Sequence, residues 1–224
     1  MILSDYQVEA VENIREAFRA GTKRVLFVLP TGGGKSMIFA YMAVNAVQRG
    51  KRVCILVHRR ELLKQTSDLL NAFRCSHGII QAGFTPSFYE PLQIASVQTL
   101  INRRHKYNFD FIITDECHHV TSQTYIRILN SYPKAFSLGV TATPLRLDGR
   151  GLGLMYDEMI EGPNARWLTD NGYLAKIKAF VPPGINTEGM KHQHGDFAKA
   201  ALEEAPTPKI VGDAVDHYRR HAEF

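Results

Sequence analysis

The chain has 224 residues, enough for one large domain or two small ones, and 45% of them are hydrophobic, as in ordinary globular proteins. No apolar stretch approaches the ~18–20 residues that span a bilayer, and the sequence opens with neither a basic leader nor a cleavable apolar segment. Three scattered cysteines exclude a disulfide framework and a cysteine-built zinc site and favour a reducing compartment. We therefore expect a cytoplasmic protein without membrane attachment.

The net charge of +5 is unevenly distributed along the chain. Residues 1–112 carry 15 lysines and arginines against 8 acidic residues, whereas residues 113–224 carry 12 against 14. A basic first half suggests a polyanionic partner, although basic faces are often merely solvated.

Short apolar runs alternate with helical patterns along the chain. A Ser-x-x-Gln capping box at Ser4 begins the first helix. Further helices are predicted at 35–49 and 61–73, and strands at 25–29, 53–57, 79–80, 92–95, 109–114 and 135–140. The fully apolar strands are typical of a sheet buried on both faces. This pattern predicts an α/β fold with a mostly parallel sheet and helices on both faces.

The last quarter of the sequence differs from the rest. A strand at 176–181 ends at two prolines, residues 184–195 form a polar loop, and Asp196 caps a short helix. A second amphipathic helix follows Pro208. These elements have too few partners to make a core, so residues 1–175 are predicted to form one domain and 176–224 a linker and the start of another.

Residues Pro30-Thr31-Gly32-Gly33-Gly34-Lys35-Ser36 follow a predicted strand and open a predicted helix, the context of a phosphate-binding loop. The three glycines let backbone N–H groups surround phosphate oxygens at the helix N-terminus. Lys35 can reach the β- and γ-phosphates, and the Ser36 hydroxyl can ligate Mg²⁺. The strict pattern has a small residue five positions before Gly34, where this chain has Leu29. The pattern predicts a site for a nucleoside triphosphate.

Two carboxylates, Asp115 and Glu116, follow the predicted strand at 109–114. The carboxyl ends of parallel strands are the edge at which α/β sheets bind ligands. Asp115 would hold Mg²⁺ through its water shell, and Glu116 would orient and deprotonate the attacking water. A surface Asp-Glu turn is the alternative interpretation. We prefer a catalytic pair, because the phosphate loop and these two carboxylates together complete a nucleotide site.

The chain resembles superfamily 2 helicases and translocases. Pro30 to Ser36, Asp115-Glu116-Cys117-His118 and Thr141-Ala142-Thr143-Pro144 resemble motifs I, II and III of that superfamily, with a DExH form of motif II. The segment Thr143-Pro144-x-Arg146-x-Asp148-Gly149 is similar to DNA-repair helicases and restriction-enzyme motor subunits. The resemblance covers roughly residues 1–180. It implies a RecA-like P-loop NTPase lobe at 1–175 and the start of an incomplete second RecA-like domain at 176–224.

The same resemblance implies roles for further residues. Leu3-x-x-Tyr6-Gln7 resembles the segment whose glutamine contacts adenine, although Ser4 stands where an arginine is common. His118, Thr141 and Thr143 would couple the γ-phosphate to the nucleic acid strand. Four further residues would contact the sugar–phosphate backbone of that strand: Arg60, Gly83, Gln98 and Thr99. The implied activity is Mg²⁺-ATP-driven movement on nucleic acid, with DNA favoured over RNA.

Motifs IV to VI, which such proteins carry on a second RecA-like lobe, are not found in these residues. Since that lobe supplies arginine fingers, we expect this chain alone to bind nucleotide and hydrolyse it slowly. Two alternatives stay open: a nucleotide-gated binding module without efficient turnover, and a P-loop ATPase of another type.

Other histidines and aromatic residues are interpreted as structural. His217 and His221 lie at i, i+4, but the sequence offers no obvious third metal ligand, and His192 and His194 lie in a polar stretch. Trp167, Tyr173 and Phe180 are expected to lie in the core rather than to stack on bases.

Overall fold

Helices and strands alternate along the chain in the computed structural model, which describes residues 2–119, 122–144, 152–176, 192–193 and 196–197. The helices are α1 (Asp5–Arg19), α2 (Lys35–Gln48), α3 (Arg60–Ala72), α4 (Val97–Arg103), α5 (Ser122–Asn130) and α6 (Ala165–Asp170). The strands are β1 (Arg24–Val28), β2 (Val53–Val57), β3 (Gly78–Ile80), β4 (Leu92–Ser96), β5 (Phe111–Asp115), β6 (Phe136–Thr141), β7 (Glu158–Glu161), β8 (His192–Gln193) and β9 (Asp196–Phe197). None of these described helices combines the length and apolarity needed to cross a bilayer.

Two compact units divide the chain, Met1–Ala175 and Lys176–Phe224. In the first unit, β1 to β7 form one sheet in the order β3-β4-β2-β5-β6-β1-β7, and every pairing is parallel. In the second unit, β8 and β9 pair antiparallel. The expectation that 176–224 begins a second RecA-like domain stays a prediction.

The order of the strands decides which loops meet. All strands of the sheet are parallel, so their carboxyl ends lie at one edge. The segments that follow β1, β6 and β5 are neighbours in one half of that edge. Those that follow β2, β4 and β3 form the other half.

Successive residues of each central strand point into two different cores. In β1, Val25 and Phe27 pack beneath α1, α2 and α3, whereas Leu26 packs beneath α4 and α5. The same alternation sends Ile113 of β5 to the first core and Ile112 to the second. Fully burying such a side chain contributes ~1.5–3 kcal/mol. Helices therefore cover both faces of the sheet, as the apolar strand pattern predicts.

A polar network stabilises the second core. The hydroxyl of the buried Tyr125 lies 2.7 Å from Ser137 Oγ and accepts a 3.1 Å hydrogen bond from Tyr156. A Cβ on Gly139 would lie 2.1 Å from the Tyr156 hydroxyl oxygen, so only glycine fits there. This network joins α5 and β6 to the segment that precedes β7.

Most predicted strands lie within two residues of their observed ends, and several short elements were not predicted. The helices α4, α5 and α6 and strand β7 lack a long apolar pattern; three of the four residues of β7 are exposed. The predicted strand at 109–114 begins only at Phe111, because the Asp110 carboxylate accepts a hydrogen bond from the Arg52 N–H instead. The predicted helix cap at Asp196 is wrong, since Asp196–Phe197 is strand β9. The strand predicted at 176–181 and the helix after Pro208 lie outside the described residues.

Candidate active site

The phosphate loop connects β1 to α2, and each of its glycines is required by local geometry. Gly32 and Gly34 have φ of 81° and 80°, the left-handed region that side chains with a Cβ rarely adopt. A Cβ on Gly34 would lie 2.3 Å from Gln7 Nε2, and one on Gly33 would lie 2.8 Å from Leu29 Cγ. Leu29 therefore occupies space that the glycine leaves open. The loop backbone is shaped for close approach to a ligand.

Lys35 is the first residue of α2 and its side chain is buried. Its Nζ donates hydrogen bonds to the backbone carbonyls of Leu29 and Pro30 at 3.1 and 3.4 Å. Thr31, Gly32, Gly34, Lys35 and Ser36 line a cavity of about 380 Å³, which Asp115 and Glu116 also line. The sheet thus brings the two predicted half-sites, 80 residues apart in sequence, to one cavity.

Asp115 ends β5 and is held by the backbone, because its Oδ1 accepts a 3.0 Å hydrogen bond from the Glu116 N–H. Burial and then repulsion from the Glu116 carboxylate raise the pKa of Asp115 to about 6, although that N–H and Lys35 act in the opposite direction. Glu116 has φ of 45°, a left-handed conformation that is uncommon outside glycine. Such strain is found where the surroundings impose a side-chain direction.

A chain of polar contacts leads from Glu116 through His118 to the end of β6. His118 Nδ1 lies 2.8 Å from Thr141 Oγ1 and 3.3 Å from Glu116 Oε2. The Thr141 hydroxyl donates to the Thr143 carbonyl at 2.9 Å and accepts from the Thr143 N–H at 3.0 Å. Because that hydroxyl has one proton, His118 Nδ1 must carry a proton and donate it. The three residues predicted to couple the two sites are therefore in direct contact.

Gln7 lies beside the phosphate loop. Its Oε1 accepts the Ser4 N–H at 3.0 Å, which is half of the predicted capping box, and its Nε2 points at Gly34. The neighbouring Tyr6 donates its hydroxyl to the Gly33 carbonyl at 2.8 Å. The first turn of α1 is thus anchored to the loop at two places.

The predicted strand-contacting residues lie in the other half of the same edge. Arg60 begins α3 after β2, Gly83 follows β3 with φ of 87°, and Gln98 and Thr99 follow β4 in α4. Arg60, Gly83 and Gln98 are exposed. Ser96 Oγ accepts the Thr99 N–H at 3.2 Å and so fixes the start of α4. The structure does not bring these residues into the phosphate cavity; it places them beside it.

Residues 1–146 match the family described as "Type III restriction enzyme, res subunit". The chain belongs to this family. Its all-parallel sheet with helices on both faces is the RecA-like fold that the sequence predicts, and the family match supports the resemblance to superfamily 2 helicases.

Curated relatives of the chain are longer than the chain itself. A "51.5 kDa protein" of a Lactococcus phage is 34% identical over 86% of this chain and 40% of its own length. The "Putative ATP-dependent helicase IRC3" of Saccharomyces cerevisiae is 31% identical over 96% of this chain and 34% of its own length. The chain thus spans well under half of these relatives.

A solved structure shows the same fold. The UvsW helicase from bacteriophage T4 superposes with a TM-score of 0.59 at 22% sequence identity, over 72% of this chain and 60% of that one. At this identity the likeness concerns the fold alone.

Several residues at the candidate site belong to none of the motifs that the sequence analysis identified. Gln65 and Thr66 of α3 line the phosphate cavity, and Leu174 approaches Gly32 so closely that a Cβ there would lie 2.7 Å from its Cδ2. A helical period of 3.6 residues places Gln65 and Thr66 one turn after Leu62, which lines the same cavity. That period could have found them, whereas nothing local reveals Leu174.

The expectation that Trp167 and Tyr173 lie in the core is wrong, because each is 42% exposed. Their rings stack with centroids 5.9 Å apart, and both rings contact Tyr6 edge to face. Tyr6 is buried instead, because its ring packs in the core while its hydroxyl donates a hydrogen bond to the phosphate loop. The two outer rings therefore cover Tyr6 rather than fill the core.

Some predicted residues lie outside the described part of the chain. These are Arg146, Asp148 and Gly149 of the segment after motif III, and Phe180, His194, His217 and His221. Among the residues that are described, no group of three or more His, Cys, Asp or Glu side chains is arranged to hold a metal ion.

Proposed function

We propose that this chain is the ATP-binding lobe of a Mg²⁺-ATP-dependent helicase or translocase that moves on nucleic acid. The observation that carries the proposal is the shared sheet edge. Its first half holds the phosphate loop, two carboxylates and the His118–Thr141 contact, and its second half holds the exposed residues after β2, β3 and β4. The family membership and the helicase name of the yeast relative support it.

The nucleotide is held by backbone N–H groups of residues 32–36 and by Lys35. The ammonium of Lys35 now bonds two neutral carbonyls, and charged phosphate oxygens are stronger acceptors. Gln7 stands at the loop with its Nε2 beside Gly34 and with a second lone pair on Oε1 available. It can therefore donate to and accept from the edge of an adenine ring.

The residues at the cavity fit Mg²⁺, since the donor set offers the Ser36 hydroxyl and the Asp115 carboxylate, the hard oxygen ligands that this ion prefers. Ser36 would bind the ion directly and Asp115 through water. The bound ion would neutralise charge that develops on the β- and γ-phosphates. Because a nearby cation favours the charged form of a carboxyl, it would also lower the raised pKa of Asp115.

Glu116 acts as the general base for the attacking water. Its left-handed backbone turns the carboxylate into the space between the phosphate cavity and a second cavity of about 470 Å³, which His118 and Thr143 also line. His118 Nδ1 lies within reach of both Glu116 Oε2 and Thr141 Oγ1, at 3.3 and 2.8 Å, so a change at the carboxylate would alter the contact to β6. This contact is the link between hydrolysis and movement.

The nucleic acid lies along the second half of the edge, against Arg60, Gly83, Gln98 and Thr99. Backbone contacts of this kind position a strand without reading its sequence, so binding should depend strongly on salt. We favour DNA over RNA because the family is named for a restriction enzyme, and restriction enzymes act on DNA.

A nucleotide-gated binding module without turnover is the competing function. It has no need of a carboxylate held in a strained backbone beside the phosphates, which Glu116 provides. The helicase names of the relatives also favour turnover.

Two substitutions test the nucleotide site in the complete gene product that contains these residues. Lys35→Ala should weaken binding of a fluorescent ATP analogue by about tenfold or more, because a charge-assisted hydrogen bond contributes ~1.5–3 kcal/mol. Glu116→Gln should keep that affinity and lower kcat by ~10²–10⁴. Lys106→Ala, at an exposed lysine away from the cavity, is the matched control. Unchanged ATP affinity in Lys35→Ala would contradict the assignment.

The choice of nucleic acid is tested by ATPase stimulation and by fluorescence anisotropy. Single-stranded DNA, duplex DNA and RNA of equal length are compared at several salt concentrations. We expect DNA to stimulate turnover most, and we expect Arg60→Ala to reduce the affinity and the salt slope, with Arg127→Ala as control. Equal stimulation by RNA would rule out the preference for DNA.

A further inference from the structure

Another cavity, of about 460 Å³, lies at the opposite edge of the sheet, where the strands begin. It is distinct from the two cavities that Glu116 lines. The C-terminal halves of α1 and α2 form its walls, and the residues that enter β5 and β6 form its base. Phe111 lines it at the start of β5, and Asp115 lines the phosphate cavity at the end, about 13 Å away at ~3.3 Å per residue. We call it the basic pocket, and it is separate from the nucleotide site.

The floor of the basic pocket is apolar. Phe18 meets Phe111 and Phe136 edge to face, with centroids 5.8 and 5.2 Å apart. Lys23 Nζ lies 4.0 Å from the centroid of Phe136 and covers one face of that ring. The rings pack on one another, and the floor offers apolar contact to an aliphatic or aromatic side chain.

The rim of the basic pocket is strongly cationic. One of its lining residues, Asp110, is acidic. Five are lysine or arginine: Arg15, Arg19, Arg49, Lys51 and Lys134. The Asp110 carboxylate accepts the Arg52 N–H and so is already engaged by the backbone. Arg15 and Arg19 share Glu12.

The other three rim cations are exposed. Within the described residues, Arg49, Lys51 and Lys134 make no ion pair with an acidic side chain. Asp110 and Glu12 therefore offset only part of the positive charge that the five lysines and arginines of the rim carry.

We propose that the basic pocket binds an acidic peptide segment of a partner protein, with one apolar side chain inserted between α1 and α2. Its volume lies within the ~300–1,000 Å³ of ligand cavities, and interface hot spots are anchor side chains in well-packed pockets whose surroundings exclude water. Arginine pairs with carboxylates in a planar, two-pronged geometry, so acidic residues beside the anchor complete the rim. Single-stranded nucleic acid usually stacks its bases on open aromatic faces, whereas Phe18, Phe111 and Phe136 pack on one another here.

The proposal is tested with the 224-residue chain and a fluorescein-labelled peptide in which Glu and Asp alternate with Phe and Leu. One comparison peptide replaces Phe and Leu by Ser, and another replaces Glu and Asp by Gln and Asn. We expect only the first peptide to bind, and we expect Arg49→Glu combined with Lys134→Glu to weaken it about tenfold or more. Ala46→Phe, which fills the cavity without changing charge, should do the same.

The matched control reverses two exposed cations elsewhere, Lys106→Glu with Arg127→Glu, and should leave peptide affinity within about twofold. All variants should bind the ATP analogue as the parent does, because the phosphate loop lies at the other end of the sheet. Equal peptide affinity in the pocket variants and the control would overturn the proposal. So would equal binding of the Ser-substituted peptide, or an oligo(dT) that competes for the pocket and loses affinity in the same variants.

Discussion

Two residues at the candidate site are in energetically unfavourable states that are uncommon in ordinary surface turns. Glu116 has a left-handed backbone, and Asp115 is a buried carboxyl beside another carboxylate. Each of these features costs free energy that the fold must offset. They lie in adjacent positions after one strand, which is where a site under functional constraint is expected.

Asp115→Asn should stabilise the folded chain at neutral pH in metal-free buffer. The pKa of Asp115 is raised to about 6 from 3.8, so between these values the folded protein holds a proton that the unfolded chain releases. Stability therefore falls as pH rises through this window and stays lower above it. The variant should gain about 2–3 kcal/mol at pH 8 and almost nothing near pH 4.

Urea unfolding at pH 4, 6 and 8 in the presence of EDTA measures this difference. Asp68→Asn removes an exposed carboxylate of α3 and is the matched control. A gain for Asp115→Asn that is the same at pH 4 and pH 8 would show that the carboxyl is not destabilised by burial.

Thr141→Val should remove the contact to His118 that we propose couples hydrolysis to movement. Valine has the same shape but neither donates to the Thr143 carbonyl nor accepts from His118, so we expect a loss of about 1–3 kcal/mol in the free energy of unfolding. ATP affinity should be unchanged, while stimulation of turnover by DNA falls. Full stimulation in Thr141→Val would argue against a coupling role.

At the scale of elements, the phosphate loop depends on α1 as much as on its own glycines. Tyr6 and Gln7 contact the loop at Gly33 and Gly34, and Leu174 contacts it at Gly32. The loop is thus held between the first helix and the segment after α6. Its shape is a property of three elements together.

Gly34→Ala should damage the site more than its backbone strain alone explains. Gly50 provides the comparison, since its φ of 74° is similar to the 80° of Gly34 but nothing lies within 4 Å of its missing Cβ. Gly50→Ala should cost ~1–2 kcal/mol from the left-handed conformation. Gly34→Ala should cost more and should also weaken ATP binding, because its Cβ would displace Gln7.

Urea unfolding and titration with the ATP analogue distinguish the two variants. If both lose the same stability and both keep ATP affinity, Gln7 does not need its place beside the loop.

At the scale of the whole molecule, one sheet edge carries the proposed nucleotide-binding residues in one half and the proposed strand-contacting residues in the other, while the basic pocket lies at the far edge. The boundary between the two halves falls between β5 and β2, which are neighbours in the sheet. Glu116 and Arg60 thus follow strands that lie side by side.

The 224-residue chain should bind ATP but turn it over slowly. It spans 34% of the yeast relative, and an arginine finger from a second lobe is worth ~10³–10⁵ in kcat. Steady-state ATPase assays of this chain at saturating ATP, with and without DNA, measure this turnover. Rapid DNA-stimulated hydrolysis by these residues alone would show that one lobe is sufficient.

The fold class and the core of the candidate site can be predicted from the sequence because their signals are local. The apolar strands, the glycine-rich turn before Lys35 and the Asp115-Glu116 pair each lie within a few residues, and parallel pairing brings their ends to one edge. The short elements α4, α5, α6 and β7 escape prediction because their residues are held by packing rather than by a long pattern of their own.

Contacts between distant segments were decided only by the tertiary structure. Sequence spacing does not reveal that Tyr6 rather than Trp167 is buried, or that Leu174 closes on Gly32. Nor does it reveal that three unpaired cations surround an apolar floor. These features depend on which helices share a face and how far apart they lie. The sequence by itself therefore determined the chemistry of the nucleotide site, and the packing of the sheet decided what surrounds it.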